Sequence, residues 1–442
     1  MVLAMGGETL FGLVDTKLVS GIGRAALSGV GVATTLMWLC YSFAWGIARG
    51  VKVRVAYAIG EERPQDCPRY AIAGALLAAM YGSLVLAAGR NFGFVFELIG
   101  LDPEAVPYAE TFFRAVTCGA PLACVSMALV QHRQGMSDSR TPMIVTLFGN
   151  ALNGVLGYCL IYGKLGFPAL GVAGGGYATA IAQSINAAFL IALLVRDRRR
   201  TEAASTTSVS SAPARIAFGT ASREVLRVGT PTGAQFLGEA LAFSALTLIL
   251  GSISAVESAA HQIGLAVARV SFLPGLAIGE AACVLVGQSL GRKRRDEASN
   301  AVSAALHLAM AFMTLCGVVF VVFGRAIALA FTTDPLVVRI VTNLLLLAGF
   351  FQLIDGVNLV YRSALRGAED VKVPAYAAIA ITWICMPLAA HFLGRVAGWG
   401  AVGAWCGFLA EATISAAFFG WRWRRLGFGR RAGKMSEAPN HS

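Results

Sequence analysis

The sequence predicts an all-α membrane protein: twelve transmembrane helices in two parallel six-helix repeats around a central cleft. Three observations predict it. Of 442 residues, 57% are hydrophobic and only 14% charged, with a mean hydropathy of +0.67, whereas a soluble domain carries nearly twice that charge. Apolar runs of about 20 residues, long enough to cross a bilayer as helix, recur along the chain. Short motifs of the first half also return in order in the second.

The spans read near 1–20, 25–48, 70–90, 111–131, 142–163, 170–195, 227–251, 255–288, 299–324, 336–362, 374–394 and 400–421. The eighth is too long for one perpendicular crossing and is expected to tilt or to run past the headgroups. The first run starts at Met1 with no basic leader, so no removable signal peptide is expected. The 50 glycines suit helices that approach one another closely.

Most of the 36 Lys and Arg residues fall in the even-numbered connections and the C-terminal tail, densest in "RDRRR" (196–200), "GRKRRDE" (291–297) and "RWRRLGFGRR" (422–431). The positive-inside rule then puts these runs, and both termini, on the cytoplasmic side. A basic rim accounts for the net charge of +12 without a nucleic-acid partner. The segment "RDRRRTEAASTTSVSSAPAR" (196–215) has no apolar face and reads as a flexible linker. The expected organisation is an N-terminal lobe over 1–195, a linker over 196–222, a C-terminal lobe over 223–426 and a tail over 427–442.

The repeat is carried by three pairs at nearly one offset. "GMSDSRTP" (135–142) matches "GAEDVKVP" (367–374), both G-x-x-D-x-x-x-P. Gly171 and Gly174 match Gly400 and Gly403, and "AIGEERPQD" (58–66) matches "SLGRKRRDE" (289–297). Six spans per half is an even number, so both halves enter from the same side and form parallel repeats with the substrate site expected in the cleft between them.

Several motifs suggest chemistry that the context refuses. "GVAGGGYAT" (171–179) lacks a preceding strand and a GK[ST], so close helix packing is the expected role. The histidines at 132, 261, 307, 391 and 441 show no HExxH spacing, and the nine cysteines are scattered with no CxxC pair. No metal or cofactor is expected, and the thiols read as reduced and buried.

Acids inside spans are different, because an ionised Asp at a helix centre costs roughly 2.5–3.5 kcal/mol and is rarely idle. Asp15 and Glu8 are two turns apart on one face of the first span. Glu8 reads either as a cavity group or as a residue in water at the helix end. Glu239 lies in "PTGAQFLGEALAFSALTLIL" and Asp355 in "LLLLAGFFQLIDGVNLVY", with no basic residue near either in its span interior. Asn153, Thr179 and Gln262 read as neutral Na⁺ ligands or as interhelical hydrogen bonds. Pro231 and Pro274 each remove a backbone hydrogen bond and are candidate hinges. Tyr41, Phe43, Trp45, Phe236 and Phe272 are candidates to line a pocket for lipophilic cations.

At "GLVDTKLVSGIGRAALSGVGVA" (12–33), "VRVAYAIGE" (53–61), "YGKLGFPALGVAGGGYATAIAQ" (162–183), "GTPTGAQFLGE" (229–239), "VLVGQSLG" (284–291) and "LRGAEDVKVP" (365–374) the chain resembles the multidrug and toxic compound extrusion (MATE) transporters, over nearly its whole length. The resemblance implies a six-plus-six helical fold that exports organic cations against inward Na⁺ or H⁺. It maps the first-helix aspartate onto Asp15, a fifth-helix asparagine onto Asn153 and a sixth-helix threonine onto Thr179. In the NorM-like branch, acids of the seventh and tenth helices map onto Glu239 and Asp355, with Na⁺ as a candidate ligand at both. Gly157 stands where the family often has an acid or amide, and Phe351 where that branch has a tyrosine. The family's first helix usually starts earlier, with a proline near its cytoplasmic end; here the run begins partway along without that proline, as expected either of a shortened start or of an abbreviated first helix.

The expected function is a monomeric secondary antiporter for small cationic amphipathic compounds, in contact with membrane lipid and driven by H⁺ or Na⁺. A flippase for lipid-linked oligosaccharide or peptidoglycan precursor would need a cationic cavity, whereas the midspan charges are mostly acidic. A membrane-embedded lipid-modifying enzyme would need a catalytic set at membrane depth, which the sequence does not offer, so no enzyme is expected.

Overall fold

The computed structural model describes residues 18–207 and 216–428. Among these residues every regular element is helical, as a chain surrounded by lipid requires if its backbone polar groups are to be satisfied internally. Among the described residues ten helices are long and apolar enough to cross a membrane, and a bent pair makes an eleventh. Most of the first predicted span, with Glu8 and Asp15, lies outside the described residues.

The chain divides into two compact units, Met1–Leu237 and Gly238–Ser442. The first holds α1 (Arg24–Gly60), α2 (Cys67–Gly89), α3 (Gly93–Leu98), α4 (Val106–Thr117), α5 (Ala120–Gly135), α6 (Arg140–Tyr162), α7 (Val172–Thr207) and the beginning of α8 (Phe218–Ile253). The second holds the rest of α8 with α9 (Ala255–Gly291), α10 (Arg295–Phe331), α11 (Pro335–Gly367), α12 (Lys372–Ala389) and α13 (Gly400–Trp423). Helices of 36 or 37 residues, such as α1, α8, α9 and α10, reach about 55 Å at 1.5 Å per residue. They outrun the hydrocarbon core, so their ends stand in the interface.

Two expectations need correction. The span read near 111–131 is not one straight helix: α4 and α5 meet at a bend of 56° around Cys118 and Gly119. Pro121 follows at the start of α5 and has no N–H to carry the ladder across. A Cβ on Gly119 would lie 2.6 Å from Ala180 Cα, so α7 presses directly on the bend. Cys118 is exposed there rather than buried. The linker also begins later than its polarity suggested, because α7 continues through Thr207. Arg, Glu and Ala in "RDRRRTEAA" are good helix formers, and propensity carries the helix on after the apolar pattern stops.

The repeat is written in the backbone. Glu62 and Ser137 adopt φ of 58° and 64°, and their counterparts Lys293 and Glu369 adopt 62° and 59°. Each sits in the left-handed region that ends a helix. Arg63 N–H donates to Ala58 O and Arg294 N–H to Ser289 O; Asp138 N–H donates to Arg133 O and Asp370 N–H to Leu365 O. Four turns of the same hydrogen-bonded form thus fall at matching places in the two halves.

The first unit extends past the predicted linker because α8 starts by packing on α1. Gly46 and Gly50 of α1 face Gly229 and Gly233 of α8 so closely that a Cβ on Gly46 would lie 2.0 Å from the Gly233 nitrogen. Two small-xxx-small motifs bring the backbones together. Ala221 and Val225 join Ala44, Ile47, Val51 and Tyr70 in the core beside this seam. In the second unit, α11 packs against α9, α10 and α13, around a core of Leu344, Leu345, Val341 and Trp405. Exposed apolar side chains such as Trp38, Leu84 and Val322 cover the outside, as lipid contact demands. The glycines of "GVAGGGYAT" serve packing: a Cβ on Gly174 would meet Leu160 at 2.5 Å and one on Gly176 would meet Ala115 at 2.7 Å.

Candidate functional site

The second unit holds a cluster of charges in an apolar surround. Glu239 comes from α8, Asp355 and Arg362 from α11 and Glu411 from α13, near enough to act on one another electrostatically. Seven residues put Asp355 and Arg362 two turns apart on one face of α11. Arg362 Nη1 donates to Glu239 Oε1 at 2.9 Å. Ser415 Oγ donates to Glu411 Oε1 at 2.9 Å, one turn along α13.

Asp355 is 4% exposed. Its Oδ1 accepts from Asn358 Nδ2 at 3.3 Å, and its Oδ2 has no hydrogen-bond partner. On either side along α11, Gln352 Oε1 and Asn358 Oδ1 are also buried acceptors without a donor. Gln352 is otherwise fixed, its Nε2 donating to Ser271 Oγ at 2.7 Å. Buried oxygens are normally paired. Three unpaired acceptors on successive turns suit a proton or a hard cation such as Na⁺, which takes oxygen ligands.

The first unit brings Asn153 and Thr179 together: Thr179 Oγ1 donates towards Asn153 Oδ1 at 3.3 Å and towards Gly175 O at 3.1 Å. A Cβ on Gly157 would meet only Leu18 Cδ1, at 3.4 Å, so glycine leaves little room to spare but no clash. Gln262 is exposed on α9. Pro231 and Pro274 both lie inside continuous helices.

The candidate aromatics are partly occupied by the chain itself. The Arg49 guanidinium lies 4.2 Å from the Phe236 ring centroid and 5.7 Å from that of Trp45. Phe43 packs on Tyr81 with centroids 5.3 Å apart. Phe351 packs edge-on against Phe408, within the second unit's core.

Arg362 and Glu411 escaped the sequence reading. Arg362 stands at the edge of its predicted span, where a basic residue looks like rim. Glu411 sits in "GFLAEATIS" as an isolated mid-span acid, the same signal that singled out Asp355, and was legible on that ground.

The MatE family model matches residues 1–159 and 231–390. The chain is 30% identical over 432 residues to the probable multidrug resistance protein NorM of Xanthomonas campestris pv. campestris, covering 96% of this chain and 92% of that protein. It is 27% identical over 430 residues to the multidrug resistance protein MdtK of Proteus mirabilis, with the same two coverages, 96% and 92%. Among solved structures, the outward-facing conformation of a multidrug resistance MATE family transporter of the MOP superfamily superposes with a TM-score of 0.85 at 20% identity, over 97% of this chain and 94% of that one.

Proposed function

The chain belongs to the MatE family as a NorM-like transporter, and from that premise we propose that it exports cationic amphipathic organic compounds across the bacterial inner membrane in exchange for H⁺ or Na⁺. Multidrug resistance in the names of NorM and MdtK supports the export of varied small molecules. The carrying observation is Asp355: a buried carboxylate whose Oδ2 has no donor, flanked by the unpaired oxygens of Gln352 and Asn358.

A proton on Oδ2, or Na⁺ beside it, satisfies that carboxylate. A bound organic cation neutralises the same charge, so ion and cargo exclude each other. Alternating access then converts the ion gradient into cargo release, because each ligand shifts the conformational equilibrium only by its differential affinity for the two states. Asp15, with Asn153 and Thr179, is the corresponding coupling group of the N-terminal half, and the protein works as a monomer. A flippase for pyrophosphate-bearing lipids is disfavoured, since the charged cluster of the second unit has three carboxylates to one guanidinium.

The test is dye efflux in inverted vesicles with pH and Na⁺ gradients imposed separately. Efflux should follow at least one gradient, and both Asp15→Asn and Asp355→Asn should lose that dependence. Full gradient-driven efflux in both variants contradicts the reading.

A further inference from the structure

We propose that Glu239 is not an ion-exchanging carboxylate: Arg362 holds it as a resident counter-cation, which leaves Asp355 as the exchanging acid of the second unit. The inference rests on the antiport reading and divides the work between the two acids of that reading.

Arg362 Nη1 lies 2.9 Å from Glu239 Oε1, and both side chains are largely buried, at 12% and 16% exposure. A guanidinium cannot be deprotonated in a protein, so its charge is permanent. It is tethered to the same folded unit, and its effective concentration at Glu239 is on the order of millimolar or above. A dilute organic cation or Na⁺ must displace it, then leave it buried without its partner, which is a costly state for an ion. Asp355 differs in kind. Its Oδ1 accepts from the neutral Asn358 amide, and its second oxygen is unpaired.

Asp355 and Glu411 also lie within reach of the Arg362 charge, but only Glu239 is bonded to it. Glu411 accepts from Ser415 on its own helix and, unlike Asp355, is not among the residues with a buried oxygen left unpaired. Glu280 of α9 is taken by Arg366, one turn further along α11, at 3.0 Å. With Glu239 neutralised from within, the second unit carries one exchangeable charge fewer than its count of acids suggests.

The experiment measures the coupling-ion to tetraphenylphosphonium ratio from the reversal potential of exchange in proteoliposomes containing the full-length protein. Arg362→Met frees Glu239 to exchange, so the ratio should rise by about one ion per cycle. Adding Glu239→Gln in the double variant should return it to the wild-type value, and that variant, which strands neither partner of the pair, also answers the question if Arg362→Met alone does not fold. An unchanged ratio in Arg362→Met, or a ratio below wild type in the double variant, overturns the proposal. Absence of ion-driven exchange in the wild type instead removes the antiport reading itself.

Discussion

Arg362 and Glu239 are 123 residues apart in sequence and 2.9 Å apart in the fold. The pair joins α8 to α11 inside the apolar second unit. Removing only one partner strands a buried charge, typically at a cost of about 3–5 kcal/mol, whereas removing both is often neutral. Glu239→Gln should therefore lower the melting temperature in detergent more than Glu239→Gln/Arg362→Met does. Equal losses would mean that the pair contributes through packing alone.

The α1–α8 seam has no space for side chains. A Cβ on Gly46 would lie 2.0 Å from Gly233 N and 2.1 Å from its Cα. Gly46→Leu should cost at least the roughly 1–3 kcal/mol of an overpacked core and reduce the monodisperse yield in size-exclusion chromatography. Gly31, also on α1, has nothing within 4 Å of its Cβ position, so Gly31→Ala should be neutral or stabilising by up to about 1 kcal/mol.

Asn153 and Thr179 form one interhelical hydrogen bond between α6 and α7. Such bonds in membranes contribute about 0.6 kcal/mol on average. Thr179→Val should keep the fold within about 1 kcal/mol yet weaken ion-driven efflux if the pair supports coupling. Unchanged efflux assigns the pair to packing.

Asp138 lies in the α5–α6 turn, outside the spans. Burial opposes its ionisation, but the Thr141 hydroxyl and N–H together with the nearby Arg133 outweigh it and hold its carboxyl below the ordinary 3.8. Thr141 N–H donates to Asp138 Oδ1 at 3.0 Å. A carboxyl depressed in the folded state adds stability above its unfolded pKa and loses it as pH falls through the folded one. Asp138→Asn should flatten the acid limb of melting temperature against pH below about 4, and an unchanged limb counts against the assignment.

Sequence legibility followed the range of each interaction. The repeat was readable because helix-ending turns need particular residues at fixed steps, and Gly60, Gly135, Gly291 and Gly367 keep those steps visible. Asp355 was readable because a lone acid in an apolar run is costly wherever it points. The bend at Gly119 was not, since hydropathy is blind to a missing hydrogen bond. Nor was the Arg362–Glu239 pair, because nothing within either helix indicates which face meets which. Arg49 over Phe236 was hidden in the same way: the aromatic is obvious in sequence, its occupant only in space.

Ion release on cargo binding shows whether Asp355 carries the exchanged ion. Tetraphenylphosphonium added to purified protein in weak buffer should displace protons, or Na⁺ in a Na⁺ medium, from the wild type. Asp355→Asn should release fewer ions at cargo saturation. Equal release from a folded Asp355→Asn protein would mean that the exchanged ion is carried elsewhere.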